Sequence, residues 1–455
     1  MKVLFISKPF NIEPLGVMYL SSSLKKQGHS TDLVLTTENL ENKVEEFSPD
    51  ILAYSLITGD HQFFDNTNRQ LKKYDKFSIA GGPHPTFFPE WFKDSSFDAI
   101  NIGEGELSFS ELCNKLEKKQ DITNIQNLWV KKDNKIYSNP PRNLIANLDE
   151  ISFPDRELVF KYPNIGDGPI KHFIASRGCP FNCSYCFNAS YSEIYQDKGK
   201  RVRFRSVDNL LDEVKQVVEE SPTKFIYFQD DTFILNKEWV KEFSEKYKQK
   251  INLPFHSHLR ANLVNDEIIN SLSDAGCYSV HIASEAGSDY VRRNILNRNM
   301  TNEQIIDSVK KLKEKGIKVM LQNIIGLPFT SLEDDLETLE LNRQCQPNYS
   351  WVSLFQPYPK TELGERCVKE GVYKGDFSDI GNNFFDQSVI EIPNKNERVN
   401  LQKLFALAVK YPEVYTQERL IELLEIPNKE VNETYSRMYK NFRKTADKEL
   451  YGFDL

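Results

Sequence analysis

Arg177-Gly178-Cys179-Pro180-Phe181-Asn182-Cys183-Ser184-Tyr185-Cys186 follows a strand-like stretch, His172–Ser176. Its three cysteines supply three thiolates that can close on one iron–sulfur cube. Gly178 and Pro180 suit a loop wrapped tightly around such a cube. The fourth ligand of a cube is normally another cysteine, and none is near in sequence. One iron would then stay open, as a Lewis-acid or redox reaction with a bound ligand requires. The alternative is zinc, which would want a fourth Cys or His at regular spacing. His172 and His256 are candidates, and neither sits at such a spacing. Cys113, Cys277, Cys345 and Cys367 show no ligand spacing and read as buried thiols.

Downstream of the loop, strands and helices alternate. Phe225–Phe228 reads as a strand, Leu259 closes a third, and Ser279–Ala283, Ile317–Ile325 and Trp351–Phe355 follow. Between them Leu210, Leu211, Val214, Val217 and Val218 mark one helical face, and Leu263–Leu272 and Leu332–Leu341 read as further helices. Thr301 and Gln304 form a capping box for a helix that stops at Gly316. This makes about six βα units, short of the eight of a complete barrel. Upstream, residues 1–140 alternate in the same way: Val3–Ile6, Leu33–Leu35, Ile51–Ser55, Phe77–Ala80 and Ala99–Ile102 as strands, Leu15–Lys26 as an amphipathic helix. Such alternation implies a parallel sheet covered on both faces, with ligands at the carboxyl ends of its strands. Gly81-Gly82-Pro83-His84-Pro85-Thr86 and Gly103-Glu104-Gly105-Glu106 fall at those ends. The expected fold is therefore α/β: a Rossmann-like doubly wound sheet (1–140), a linker (141–168), a partial (β/α)6 TIM-like barrel (169–365) and a small, mostly helical C-terminal region (366–455).

Composition narrows the function. The chain has 455 residues and a net charge of −8, which argues against tight nucleic-acid binding. The basic run Lys198–Arg205 reads as a solvated face or a local anion contact. The opening MKVLFISKPF is too short in its apolar run for a signal peptide, and no stretch approaches the ~18 apolar residues of a membrane helix. A cytoplasmic protein with no membrane partner is expected. An odd count of seven cysteines in a reducing compartment favours metal binding over disulfides.

The CxxxCxxC loop after a first strand, with an aromatic residue before the last cysteine, resembles the radical S-adenosylmethionine (SAM) superfamily. The resemblance implies a 4Fe–4S cluster on Cys179, Cys183 and Cys186, whose fourth iron chelates SAM. It also implies reductive cleavage of SAM to a 5′-deoxyadenosyl radical, fed by an external donor of flavodoxin or ferredoxin type. The match extends through Phe228-Gln229-Asp230-Asp231, Leu259-Arg260-Ala261-Asn262, Ala283-Ser284-Glu285-Ala286-Gly287-Ser288, Gln322-Asn323-Ile324-Ile325-Gly326-Leu327-Pro328 and Gln356-Pro357-Tyr358-Pro359. By resemblance, Tyr185, Asp230, Asp231, Arg260, Glu285 and Gln322 are SAM-site candidates. The family's usual Gly-Gly-Glu is absent at Asp230-Asp231, where a helix cap is the other reading. Arg260 meets either the SAM carboxylate or a neighbouring acid.

Pro14-Leu15-Gly16-Val17, Gly28-His29 and the two Gly-rich turns resemble the cobalamin-binding domain fused to one radical SAM subgroup. This implies cobalamin near Thr58, Gly59, Gly81, Gly82, His84, Gly103, Glu104 and Gly105. The cobalt-ligating DxHxxG motif is missing, since Asp60 and His61 are adjacent, so cobalamin is expected without a protein ligand. His84 has a second reading, as a turn histidine stacked on Pro83 or Phe87. Together the resemblances imply a cobalamin-dependent radical SAM enzyme acting on a small-molecule or natural-product substrate. Methylation of an unactivated carbon or phosphorus is the leading expectation. Cyclisation, ring contraction or oxidation with the same cofactors is the second, and a non-catalytic cobalamin or SAM sensor the third.

Overall fold

A computed structural model describes residues 1–376, 379–381 and 384–453. The chain divides into two compact units. One comprises Met1–His172, Ser190–Asn209 and Gln216–Thr223, the other Phe173–Ala189, Leu210–Lys215 and Lys224–Leu455.

The first unit is built on β1 (Lys2–Ser7), β2 (Ser30–Leu35), β3 (Ile51–Ser55), β4 (Phe77–Gly81), β5 (Ala99–Asn101), β6 (Leu128–Lys132) and β7 (Lys135–Ser138). The sheet order is β2-β1-β3-β4-β5-β6-β7. The first five strands pair in parallel. Successive side chains of a strand point to opposite faces, and here both faces are apolar. Val3, Phe5, Ile51 and Ala53 pack under helices Leu15–Lys26 and Glu106–Glu117. Leu4, Ile6, Leu52 and Tyr54 join a second core with Val44, Phe64 and Leu71. That is why these strands read as unbroken apolar runs rather than alternating ones.

Beyond β5 the sheet turns antiparallel. The β6–β7 hairpin is an element that the sequence reading does not anticipate. Its turn, Asp133-Asn134, has φ of 52° and 58°, the left-handed pair that a tight hairpin needs. Residues 141–168 also pack: Leu158, Val159 and Ile165 are buried in the first core.

The second sheet comprises β8 (Ile170–Phe173), β9 (Phe225–Phe228), β10 (Phe255–Leu259), β11 (Cys277–Glu285), β12 (Lys318–Ile325) and β13 (Tyr349–Leu354). They lie in the order β13-β12-β11-β10-β9-β8, with β9 to β13 parallel. The six strands match the six expected units. The Thr301–Gln304 capping box starts the helix Asn302–Glu314. The preceding helix runs Asp266–Ala275 rather than Leu263–Leu272, because the Asn265 side chain accepts from the Ile268 N–H and fixes the start there. Helices Lys395–Lys410, Gln417–Leu424 and Asn428–Tyr451 complete the chain. The first two bury Leu401, Leu404, Phe405, Leu420 and Leu424 against Ile325, Val352 and Leu354. Among the described residues, no helix is long and apolar enough to cross a membrane.

Candidate functional site

The cysteine loop is pinned at its centre. Ser184 donates its N–H to the Leu296 carbonyl (3.1 Å) and its hydroxyl to that of Ile295 (2.5 Å). Cys183 is buried, and Cys179 and Cys186 are half-buried. Two guanidinium groups converge on Cys183: Arg260 Nη1 at 3.6 Å and Arg298 Nη1 at 3.7 Å from its sulfur. Arg260 lies 3.8 Å over the Phe181 ring and donates to Asn262 Oδ1. Arg298 also donates to Tyr185 Oη (3.0 Å), and Tyr185 donates to Glu285 Oε1 (2.6 Å). One hydrogen-bonded array thus joins the loop to the end of β11. Arg298 is a residue that sequence reasoning misses. It arrives through one π-helical turn, Val291–Ile295, and no spacing rule signals such a turn.

Burial pushes the Cys179 thiol up, and that of Cys186 up to about 11. Buried sulfurs that resist ionising alone become thiolates when a metal's charge is beside them. Three cysteines on one loop, with two cations aimed at one of them, fit an iron–sulfur cluster.

Glu285 has φ 67°, a left-handed backbone uncommon for a residue with a side chain. The β11–β12 register shifts between Ala283 and Glu285. Strain of this kind costs about 1–3 kcal/mol and gathers at functional sites. Here it turns the Glu285 carboxylate into a cavity of about 250 Å³ lined by Tyr185, Gln322, Trp351, Gln356 and Tyr358. Tyr185, Glu285 and Gln322 are therefore brought together, and Arg260 stands by the sulfurs. Asp230 is elsewhere. Its buried carboxylate accepts from the Ala175 N–H (3.0 Å) and the Ser176 hydroxyl, bracing the ends of β8 and β9. Burial holds its carboxyl up at about 6. Asp231, its neighbour, is exposed.

In the first unit, the loops at the carboxyl ends of the strands carry the other candidates. The Gly82 φ is 92°, and a Cβ there would lie 2.9 Å from the Leu56 carbonyl oxygen. Gly59 belongs to the same group of loops, and Gly81 accepts from the Leu56 N–H (2.8 Å). His84 is buried, 3.2 Å from Thr58 Oγ1 through Nδ1. It stacks on His61 (4.0 Å, 15°) and meets the Trp91 edge (5.1 Å). The stacked partner is thus a second histidine, where Pro83 or Phe87 is the sequence-based alternative. Burial, with His61 beside it, pushes the His84 pKa down to about 3.

The Gly103 loop is occupied from within the unit. A Cβ on Gly103 would fall 1.9 Å from Tyr195 Oη, and the Glu104 N–H donates to that oxygen (3.0 Å). The Glu104 carboxylate takes a two-pronged pair from Arg203 (2.6 and 3.1 Å). Gly105 leaves a Cβ 3.0 Å from Leu20. Ile12, after β1, Ile57, after β3, and Leu107, after β5, are exposed at 53%, 47% and 50%. In a 2-1-3-4-5 sheet the crevice beside β1 and β3 is the ligand position. Ile12 and Ile57, exposed on the loops after β1 and β3, suit a flat, largely apolar cofactor in that crevice, which the strand pattern alone does not reveal.

A six-stranded parallel sheet with three cysteines on the loop beyond its first strand, and a doubly wound sheet before it, suit a cluster-bearing enzyme with a second cofactor-binding unit. Residues 173–341 match the Radical SAM superfamily and residues 1–113 the B12 binding domain. The chain is 31% identical over 367 residues, 78% of each chain, to an uncharacterized methyltransferase of Pyrococcus horikoshii. It is 26% identical, over 80% of its length and 69% of the relative's, to the anaerobic magnesium-protoporphyrin IX monomethyl ester cyclase of Rubrivivax gelatinosus. The radical SAM methyltransferase TsrM of Kitasatospora setae, solved with tryptophan substrate and a SAM analog, superimposes with a TM-score of 0.66. That match covers 81% of this chain and 76% of TsrM at 17% identity, a likeness of fold. The chain belongs to the cobalamin-dependent radical SAM enzymes. Their cofactors are a 4Fe–4S cluster, SAM and cobalamin.

Proposed function

We propose that this enzyme transfers a methyl group to an unactivated carbon or phosphorus centre of a small molecule. The carrying observation is the identity shared along most of its length with a relative named as a methyltransferase. When bound, the cofactors supply a SAM-derived radical and a transferable methyl group, which a centre unable to attack SAM as a nucleophile requires. Cys179, Cys183 and Cys186 hold the cluster, and Arg260 and Arg298 offset the negative charge gathered on its sulfurs. Tyr185, Glu285 and Gln322 orient SAM from the cavity wall. Asp230, whose carboxylate is committed to the Ala175 N–H and the Ser176 hydroxyl, braces the ends of β8 and β9. Asp231, at the same strand end, is the nearer candidate for a polar contact. Thr58, Gly59, Gly81, Gly82 and His84, with Ile12, Ile57 and Leu107, form the cobalamin face, and Gly103, Glu104 and Gly105 shape its margin. A flavodoxin or ferredoxin provides the two electrons that a turnover consuming two SAM requires.

A second reading, cyclisation without methyl transfer, is favoured by the similarity to the magnesium-protoporphyrin cyclase. Product balance separates the two. Methyl transfer uses one SAM as methyl source and another as radical source. Anaerobic turnover of a saturating substrate then releases S-adenosylhomocysteine and 5′-deoxyadenosine in near-equal amounts. Release of 5′-deoxyadenosine alone, with a product unchanged in methyl count, overturns methyl transfer in favour of the second reading.

A further inference from the structure

Barrel interiors of this type are filled chiefly by branched aliphatic side chains. Here a polar layer crosses β9, β10 and β11. His256 and His258 lie two apart on β10 and so share a face. His258 is the register partner of His281 on β11, and His256 that of Tyr227 on β9. The His258 and His281 rings stack (4.9 Å, 15°), and His256 meets His281 edge-on (4.3 Å, 76°). One ring nitrogen from each histidine lies within 4.8 Å of the other two.

Each ring is also held by a neighbour. His256 Nδ1 lies 2.6 Å from Ser279 Oγ, and His258 Nε2 lies 3.0 Å from Tyr227 Oη. His281 Nδ1 lies 3.3 Å from Gln322 Nε2 and 3.4 Å from Tyr227 Oη. His281 Nε2 is buried without a hydrogen-bond partner, a condition that costs about 1–3 kcal/mol. His281 is thus tethered through one nitrogen with the other unpartnered, as metal-binding histidines are. His258 is held by the Tyr227 hydroxyl and by the Asp230 backbone, and would give up the tyrosine contact to an ion. Burial pushes the His258 pKa down to about 4 and that of His281 well below its ordinary value.

We propose that His256, His258 and His281 bind one divalent transition-metal ion of the zinc class, at a site distinct from the cysteine cluster. Three imidazoles with no thiolate suit such an ion. Zinc has no geometric preference of its own, so it tolerates rings set by a sheet. Reaching a Zn–N bond of about 2.0–2.1 Å needs the rings to close by about an ångström. Three protein ligands leave a fourth position open, the pattern of a catalytic rather than a structural ion. Gln322 touches His281 and also lines the cavity. The open position takes water or an oxygen of a small molecule entering from that side.

The test is the zinc content of the cluster- and cobalamin-loaded enzyme, equilibrated anaerobically with zinc and then dialysed free of excess. About one zinc per chain should remain, with an X-ray absorption spectrum dominated by nitrogen at about 2.0 Å. His258→Gln and His281→Gln should each lower retained zinc by at least the roughly tenfold that loss of an outer partner can cost, with iron and cobalamin contents unchanged. Wild-type enzyme that retains no zinc, zinc bound by sulfur at about 2.3 Å, or equal zinc in both variants would overturn the proposal. If the variants lose their other cofactors, the wild-type spectrum decides by nitrogen against sulfur or nothing.

Discussion

His84 is buried, stacked on His61 and edge-on to Trp91. It lies in the short helix Pro83–Phe87 that follows β4. Its stack on His61 depends on a helix well upstream in the chain, which no local pattern encodes. The consequence is a stability that depends on pH. The folded pKa, about 3, lies below the ordinary value of 6.5. Between those values the unfolded chain binds a proton that the folded chain refuses, so stability falls as pH falls. At pH 5 the cost is about 2 kcal/mol, from about 1.5 units at roughly 1.36 kcal/mol each. His84→Phe, which keeps a ring against Trp91, should flatten the loss measured by chemical denaturation between pH 7.5 and 5 by about that amount. An unchanged pH dependence would mean that His84 titrates normally in the folded protein.

Among the elements, the six barrel strands and the capped helix at Thr301 are readable from sequence. The helix has a residue with one physical job at each end: Thr301 before it, Gly316 beyond it. The β6–β7 hairpin is not readable. Lys131, Lys132 and Lys135 crowd its turn, and Ile136 is exposed beside a half-buried Tyr137, so β7 shows no apolar alternation. Arg298 and the packing of Tyr195 are equally hidden, since each depends on segments far apart in sequence. Gly103 illustrates the point. It reads as a glycine kept small for a ligand, yet Tyr195 fills the space above it. Gly103→Ala should therefore destabilise twice over, through φ 73° and through the clash with Tyr195 Oη. The expected cost is about 3 kcal/mol or more. Adding Tyr195→Phe removes the clashing oxygen and should recover part of the loss, giving a coupling of about 0.5–3 kcal/mol in a double-mutant cycle. Strict additivity of the two changes would place the tyrosine elsewhere.

For the molecule as an assembly of two units, the residues proposed for each cofactor come from one of them. The three cysteines, Arg260, Arg298, Tyr185 and Glu285 all belong to Phe173–Ala189 or Lys224–Leu455. His84 and the exposed apolar residues Ile12, Ile57 and Leu107 all belong to Met1–His172. Loading of the two cofactors should then be separable. The enzyme with Cys179, Cys183 and Cys186 all replaced by Ala should lose the roughly four irons a cubane requires and keep cobalamin. Ile12→Asp combined with Ile57→Asp sets two charges on the apolar crevice, and burying them under a corrin carries a heavy desolvation cost. That variant should lose cobalamin and keep its iron. Both should fail to release S-adenosylhomocysteine and 5′-deoxyadenosine in the paired amounts of methyl transfer. Iron and cobalamin contents, measured with circular dichroism to confirm folding, check this directly. If either set of changes strips both cofactors from a chain that remains folded, the cradles are not independent and the assignment of one cofactor to each unit fails.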